Sequence, residues 1–299
     1  MNNNMKKTGF IAIVGRPNVG KSTLINALLG EKIAIVSKKP QTTRTRITGI
    51  LTKGENQFVF MDTPGMHKPR TKLGSYMVKT INGTVGDVDA AILVVDSIMR
   101  PGDIEMGLME NFKKNDIPAL LVINKIDKAT AAQIGETIQA YSEVFEFASI
   151  VPISALKNDG VDIVLKESEN FLFESAWFFP DDALTDQPER QLAAEVIREK
   201  LLRLLDDEIP HGTAVVVEEF AETPRMLKIR AEIFCERESH KGIIIGKHGD
   251  TLKKIGSYAR EDLEKFFGTK IFLDLWVKVK ENWRDNNFNL SNFGYSDKK

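Results

Sequence analysis

Cysteine is nearly absent: Cys235 stands alone in 299 residues, which excludes an internal disulfide and any zinc site built from several thiolates. Set near Leu227, Ile233 and Phe234, it reads as a small buried apolar residue in a reducing compartment. Long apolar runs are missing too. The stretch Ala90 to Val95 falls far short of the roughly 20 residues that cross a bilayer. The polar start, Met1 to Lys7, has no long apolar run behind it, so no signal peptide is expected. The four histidines, His67, His211, His240 and His248, show no metal-ligand spacing. Neither sign of charge prevails. The net charge is −1, with 21 basic and 19 acidic residues through Phe178 and 20 and 23 after it. That balance excludes a globally basic nucleic-acid-binding domain and leaves only local patches, Lys38, Lys39, Arg44 and Arg46 in one place and Arg237, Lys241, Lys247, Lys253 and Lys254 in another.

What the chain does have is a phosphate-binding pattern in context. GRPNVGKST, Gly15 to Thr23, follows an apolar run, Phe10 to Val14, that reads as a buried strand, and precedes a segment of helical spacing. Gly15 and Gly20 let the backbone wrap phosphate oxygens, and amides at the start of the helix point at the anion. Lys21 reaches the outer phosphates, and the Ser22 hydroxyl is placed to ligate Mg²⁺. Three more segments follow, each at the end of an apolar strand. Asp62-Thr63-Pro64-Gly65 offers a carboxylate to Mg²⁺ through water and the Gly65 amide to the terminal phosphate. Asn124-Lys125-Ile126-Asp127 offers a carboxylate that can accept from the ring N–H and the exocyclic amine of guanine. Adenine lacks that pair, so GTP and GDP are expected over ATP. Ser154-Ala155-Leu156 supplies backbone to cover the guanine carbonyl. Each segment alone could be an ordinary turn. Their order and their strand context together specify a guanine-nucleotide site.

The spacing predicts strands at Phe10 to Val14, Ile47 to Thr52, Gln57 to Met61, Ala90 to Val95, Ala119 to Ile123 and Ile150 to Ile153. Helices are predicted at Ser22 to Leu29, Asp103 to Lys114, Thr130 to Phe145 and Val161 to Phe173. The alternation is that of a doubly wound α/β sheet. The acidic stretch Phe179 to Pro188, bracketed by prolines, reads as a linker, giving domains at 1–178 and 189–299. The second domain opens with an amphipathic helix, Glu189 to Leu205. Two strands follow, Ala214 to Phe220 and Leu227 to Arg237, then a loop Gly246-Lys247-His248-Gly249, a helix Asp250 to Phe267 and a strand Lys270 to Lys278. That order is the order of an α+β KH module of the bacterial type, type II. In such a module the glycine loop clamps single-stranded RNA backbone and the isoleucines before it, Ile243 and Ile244 among them, line a groove for bases. Lys247, His248 and Lys253 would meet phosphate. A protein or membrane surface as the partner of this fold is the competing reading, and a binding module with an inactive nucleotide domain is a second.

These motifs, with Pro40-Gln41-Thr42-Thr43-Arg44 and the closing Val277 to Arg284, resemble the Era family, bacterial GTPases with a C-terminal KH domain, over nearly the whole chain. The related Der family carries two tandem nucleotide domains and a KH-like domain without the glycine loop. The resemblance implies a monomeric, cytoplasmic switch in small-subunit ribosome assembly. It also implies binding near the 3′ end of 16S ribosomal RNA and to the 30S subunit, with some peripheral association with the inner face of the cell membrane. It places Thr42 and Thr43 in the first switch, with Thr43 favoured as the threonine that closes on Mg²⁺ and the terminal phosphate. Met66 stands where Ras-like proteins carry a water-orienting glutamine, a job no thioether can do, so slow intrinsic hydrolysis is implied. Asn18 is similar to the asparagine that lets some relatives use K⁺. Arg44, Arg46 and Arg70 lie near the switches and are expected in solvent or facing RNA, and His67 is open to a role as a base or to a structural one.

Overall fold

The computed structural model describes residues 5–37, 39, 41–66 and 71–295. The chain divides into two compact units. The first takes in Met1–Ala34, Thr43–Lys68 and Met77–Asp186; the second takes in Ile35–Thr42, Pro69–Tyr76 and Gln187–Lys299.

The first unit is wound on a sheet of seven strands. These are β1 Lys7–Val14, β2 Ile47–Lys53, β3 Asn56–Asp62, β4 Ala90–Asp96, β5 Ala119–Asn124, β6 Ser149–Pro152 and a two-residue β7, Phe173–Glu174. The order is β2-β3-β1-β4-β5-β6. All neighbours are parallel except β2 against β3. β7 pairs antiparallel with Lys7 and Thr8, beside the part of β1 that β4 does not reach. The helices are α1 Lys21–Leu29, α2 Lys72–Gly86, which belongs to this unit from Met77 on, α3 Asp103–Lys114, α4 Ala131–Ser142 and α5 Val161–Ser168. Strand alternation sends Ile11, Ile13, Ile92, Val94, Leu120 and Val122 to one face, where α1 and α5 bury Leu24, Ile25, Val161 and Val164. Ala12, Val14, Leu93, Val95, Leu121 and Ile123 point to the other, under Ile81 and Val85 of α2, Leu108 and Phe112 of α3, and Tyr141 of α4. Strands covered on both faces are the reason these runs are apolar without alternation. Every parallel strand therefore ends on one edge of the sheet, and the loops that leave it carry the four motifs.

Six strands fall where the spacing put them, within one to three residues. The helix expected over Val161 to Phe173 stops at Ser168, and a 3-10 turn, Glu169–Phe171, carries the chain into β7. Helix α2 has no counterpart in the sequence reading. Past Phe178 the chain still belongs to the sheet by its hydrogen bonds. Buried Gln57 accepts from the amides of Phe178 and Phe179 at 3.0 and 3.1 Å and donates to the Phe179 carbonyl at 2.9 Å. The Ile50 amide donates to the Leu184 carbonyl at 2.9 Å.

The second unit has a three-stranded sheet, β8 Ala214–Thr223, β9 Met226–Cys235 and β10 Ile271–Val279, in the order β10-β9-β8. β9 runs antiparallel to β8, with a bulge between Val217 and Glu219, and parallel to β10. Helices α6 Glu189–Leu204, α7 Glu238–Ile245 and α8 Asp250–Phe267 share its core through Ala193, Ile197, Leu201, Ile244, Ile255, Ala259 and Leu263. A short α9, Asn287–Asn292, follows. In the stretch Trp283 to Tyr295, Trp283 packs inward while Phe288 is exposed. Trp283 is fully buried, donates from Nε1 to the Gly212 carbonyl at 2.9 Å, and meets the rings of Phe293 and Tyr295. Within this unit α6 also holds the stretch Ile35–Thr42. Glu199 accepts from the Val36 amide at 3.0 Å, and Arg198 donates to the Gln41 carbonyl at 3.4 Å and to the Thr42 carbonyl.

Candidate functional site

Helix α1 starts at Lys21 with Gly20 before it in the left-handed region, φ 105°, and with no side chain capping its first turn. Those amides are left for a ligand. Glycine is required in the loop for space as well as for conformation. A Cβ on Gly15 would lie 2.3 Å from the Val94 carbonyl oxygen, and one on Gly65 would lie 2.7 Å from the Cα of Pro17. Lys21 is buried and donates to the carbonyls of Gly15 at 3.1 Å and Arg16 at 2.9 Å, so it is folded back along the loop it serves. Burial lowers its pKa to about 8, against the pull of Asp62. Asn18 is exposed at φ 64°, and Thr23 is half-buried in the first turn of α1.

Three oxygens meet beside this lysine. Ser22 Oγ donates to Asp62 Oδ2 at 2.7 Å, Thr43 Oγ1 lies 2.9 Å from Ser22 Oγ, and Thr43 Oγ1 donates to Asp62 Oδ2 at 3.3 Å. Asp62 is fully buried, and its Oδ1 has no hydrogen-bond partner among the described residues. Burial raises its pKa to about 6, opposed by Lys21 and by the Ser22 and Thr43 hydrogen bonds. Hard oxygen donors around a desolvated carboxylate with a spare lone pair suit a small divalent cation, and Mg²⁺ fits that donor set. A bound Mg²⁺ would supply charge to offset that of the phosphates. Thr42 turns elsewhere, donating from Oγ1 to the Lys39 carbonyl at 2.7 Å.

The base end is organised by Asn124, the last residue of β5. Its Nδ2 donates to the Val19 carbonyl at 2.8 Å, and its Oδ1 accepts from the amides of Lys125 at 2.8 Å and Ala155 at 3.0 Å. One buried side chain thus joins the phosphate loop, its own loop and the loop after β6. Sequence reading places Asn124 in the site but gives it no such role; separations of 105 and 31 residues leave no local signal. Lys125, at φ 68°, donates from Nζ to Asp96 Oδ2 at 2.7 Å. Asp127 sits exposed in a 3-10 turn, Ile126–Lys128, where Ser154 Oγ donates to its Oδ1 at 2.7 Å. That bond is the main cause of its lowered pKa. Asp127 is therefore kept as an ionised acceptor, the state guanine needs. Met66 is half-buried against the core, and its amide donates to the Gly15 carbonyl at 3.3 Å. Arg44, expected in solvent or facing RNA, is fully buried instead. Arg46 is exposed, whereas His67 and Arg70 lie outside the described residues.

In the second unit α7 ends at Ile245 and α8 begins at Asp250, with Gly246 at φ 75°, His248 at φ 55° and Gly249 at φ 82° between them. His248 and Gly249 are left-handed, Gly246 is extended at ψ 176°, and the Gly249 amide donates back to the Gly246 carbonyl at 3.2 Å, closing a tight turn between the helices. Lys247, His248 and Lys253 are all exposed around it. The isoleucine pair divides. Ile243 is 51% exposed, whereas Ile244 is 0% exposed in the core with Ile255 and Ala259. The expectation that Ile244 lines a groove for bases is corrected accordingly: consecutive helical residues point about 100° apart, and here that turn carries Ile244 into the core while Ile243 stays outside.

Two family models match this chain: one described as a 50S ribosome-binding GTPase over residues 10–125, and one described as a KH domain over residues 208–284. The chain is 49% identical to GTPase Era of Ruminiclostridium cellulolyticum over 294 residues, covering 98% of this chain and 99% of that one. It is 49% identical to GTPase Era of Clostridium kluyveri over 97% of this chain and 100% of the other. Among solved structures, a crystal structure of Era with MgGDPNP and nucleotides 1506–1542 of 16S ribosomal RNA superposes with a TM-score of 0.93. It is 41% identical, over 97% of this chain and 99% of that chain. A variant of Aquifex aeolicus Era bound to GDP·AlF₄⁻ gives the same TM-score, identity and coverage.

Proposed function

The chain belongs to the Era family of GTPases, and from that premise we propose that it is a switch whose nucleotide state governs binding of the single-stranded 3′ region of 16S ribosomal RNA during assembly of the 30S subunit. The observation that carries the reading is the meeting of Ser22, Thr43 and Asp62 oxygens beside Lys21 in a chain that also bears the Gly246 to Gly249 loop. In this reading the working division is a nucleotide domain over 1–178, a linker over 179–188 and an RNA-binding domain over 189–299. Gly15, Asn18, Gly20, Lys21, Ser22, Thr23 and Gly65 hold the phosphates. Asn124, Lys125, Asp127, Ser154 and Ala155 hold the base. Ser22, Thr43 and Asp62 hold Mg²⁺, directly or through water, and K⁺ sits beside Asn18. Lys21 neutralises charge that develops on the outer phosphates, and the Gly65 amide and Thr43 close on the terminal phosphate. Ile243, Gly246, Lys247, His248, Gly249 and Lys253 face the RNA. The protein acts as a cytoplasmic monomer, with peripheral contact at the inner face of the membrane as a further part of the same reading.

The test has two arms. Turnover of GTP with Mg²⁺ should be faster in K⁺ than in Na⁺. Binding of a single-stranded RNA spanning the 3′ end of 16S ribosomal RNA should weaken with salt, and Lys247→Ala and Lys253→Ala should each flatten the slope of log K against log salt by about 0.7. A salt-independent interaction, or variants that bind as wild type does, would transfer support to a protein or membrane partner for the KH fold.

A further inference from the structure

The phosphate loop is tied to α3 through a residue that the motif leaves free. Arg16 donates from Nε to Glu105 Oε1 at 2.6 Å and from Nη2 to Glu105 Oε2 at 2.6 Å, a two-pronged pair between the second residue of the loop and the first turn of α3. Glu105 is 1% exposed, and its Oε2 also accepts from the Gly102 amide at 3.0 Å. An acid in the first turn of a helix could be satisfied by local amides alone. Here a carboxylate taken out of water spends both oxygens on an arginine 89 positions earlier in the chain. At its other end Arg16 offers its carbonyl to Lys21 Nζ at 2.9 Å. The same residue thus links α3 by its side chain to the phosphate-reaching lysine by its backbone.

We propose that Arg16 and Glu105 are positioning residues for GTP binding and turnover. The fork fixes the peptide planes between Gly15 and Pro17, so the loop amides and Lys21 are oriented before the nucleotide arrives. The inference rests on the reading of Gly15 to Thr23 as the GTP site. A bidentate pair restrains both position and rotation, which a lysine or a single hydrogen bond does not.

Gly102 supplies the test. Its φ of −124° and ψ of −175° suit any residue, yet a Cβ there would lie 2.3 Å from Arg16 Nη2. The obstructed atom is the end of a flexible side chain, so an added methyl displaces the guanidinium and leaves the start of α3 in place. Release of a fluorescent GDP analogue and steady-state KM and kcat are measured for four full-length proteins: wild type, Gly102→Ala, Arg16→Ala with Glu105→Gln, and the combination of all three changes. The double variant leaves no unpaired charge, and its new side-chain amide keeps an acceptor for the Gly102 backbone N–H. Gly102→Ala and the double variant should each speed GDP release and raise KM by about tenfold to a hundredfold, the range that small misplacements of a binding element produce. The melting temperature of Gly102→Ala should stay near that of wild type. The triple variant should match the double, since the methyl then has no guanidinium to displace. Wild-type release rates in Gly102→Ala and the double variant would overturn the inference. So would additive effects in the triple variant, which would mean that Gly102 acts through α3 alone. A wild-type protein that binds no guanine nucleotide would instead sink the reading of the loop, and the inference with it.

Discussion

In the proposed reading Asp127 bears the choice of base, for which its carboxylate is suited: it is exposed, and the Ser154 hydrogen bond favours its ionised form. Asp127→Asn exchanges an acceptor for a donor at the position facing the exocyclic amine. Preference should move from GTP toward xanthosine triphosphate, by on the order of 10⁴ in the ratio of affinities, as expected where a site built for one hydrogen-bond pattern meets another. Competition binding among GTP, XTP and ATP measures it, and an unchanged preference for GTP would remove Asp127 from the role. Cys235 makes the opposite kind of residue. It is fully buried in the core of the second unit, and burial pushes its thiol pKa up. Both effects suppress the thiolate. An aromatic disulfide reagent near neutral pH should find no reactive thiol in the native protein and one equivalent after denaturation.

Between α7 and α8 the two glycines of the loop serve different ends. Gly246, at φ 75° and ψ 176°, occupies backbone space almost closed to other residues, and a Cβ would lie 2.2 Å from Thr251 Oγ1 and 2.9 Å from the Thr251 amide nitrogen. Gly249, at φ 82° and ψ 7°, is left-handed with nothing within 4 Å. Gly246→Ala should therefore destabilise the second unit by about 3 kcal/mol, and Gly249→Ala by about 1 kcal/mol. Urea melts followed by circular dichroism measure both, and equal losses would show that the Thr251 contact is dispensable. For a probe of RNA that spares the fold, Gly249→Asp is the better choice, since aspartate visits left-handed backbone more readily than most residues. The strands were legible at this scale because burial on both faces writes them as plain apolar runs. Helix α2 was not. Its apolar residues Leu73, Met77, Ile81 and Val85 recur every fourth position and are all buried, but Gly74, Ser75, Thr80, Asn82, Gly83 and Thr84 between them mask the period. Motif residues could be placed by type and order. The bonds that align them, from Asn124 and Arg16, join segments too far apart in sequence for any spacing to announce.

Over the whole molecule, the largest regularity is that the cores are separately supplied. Buried residues of the second unit's core run from Ala193 to Ile271, with partners to Val279, and none comes from the strands of the first sheet. The fragment from Glu189 to Lys299 should fold alone and bind RNA, and Lys21→Ala in the full chain should leave that domain folded while crippling nucleotide binding. Calorimetry should show two transitions in the full chain. Saturating GDP with Mg²⁺ should raise one of them by about 2.7 kcal/mol of stability at a hundred times Kd and leave the other in place. A fragment that stays unfolded, or a single transition moved by GDP, would contradict separate cores. The reach of Asn124 carries a further meaning for the chain as it is made. The phosphate loop is complete by Thr23, yet the groups that shape it, Asn124 and the Ala155 amide, come later by 105 residues from Val19 and by 31 more. At about 5–20 residues per second, synthesis leaves the loop without them for on the order of ten seconds. If Asn124 and Ala155 hold the nucleotide as proposed, a nascent chain should not retain GTP during that interval, and possession of the nucleotide would mark a sheet translated through its sixth strand.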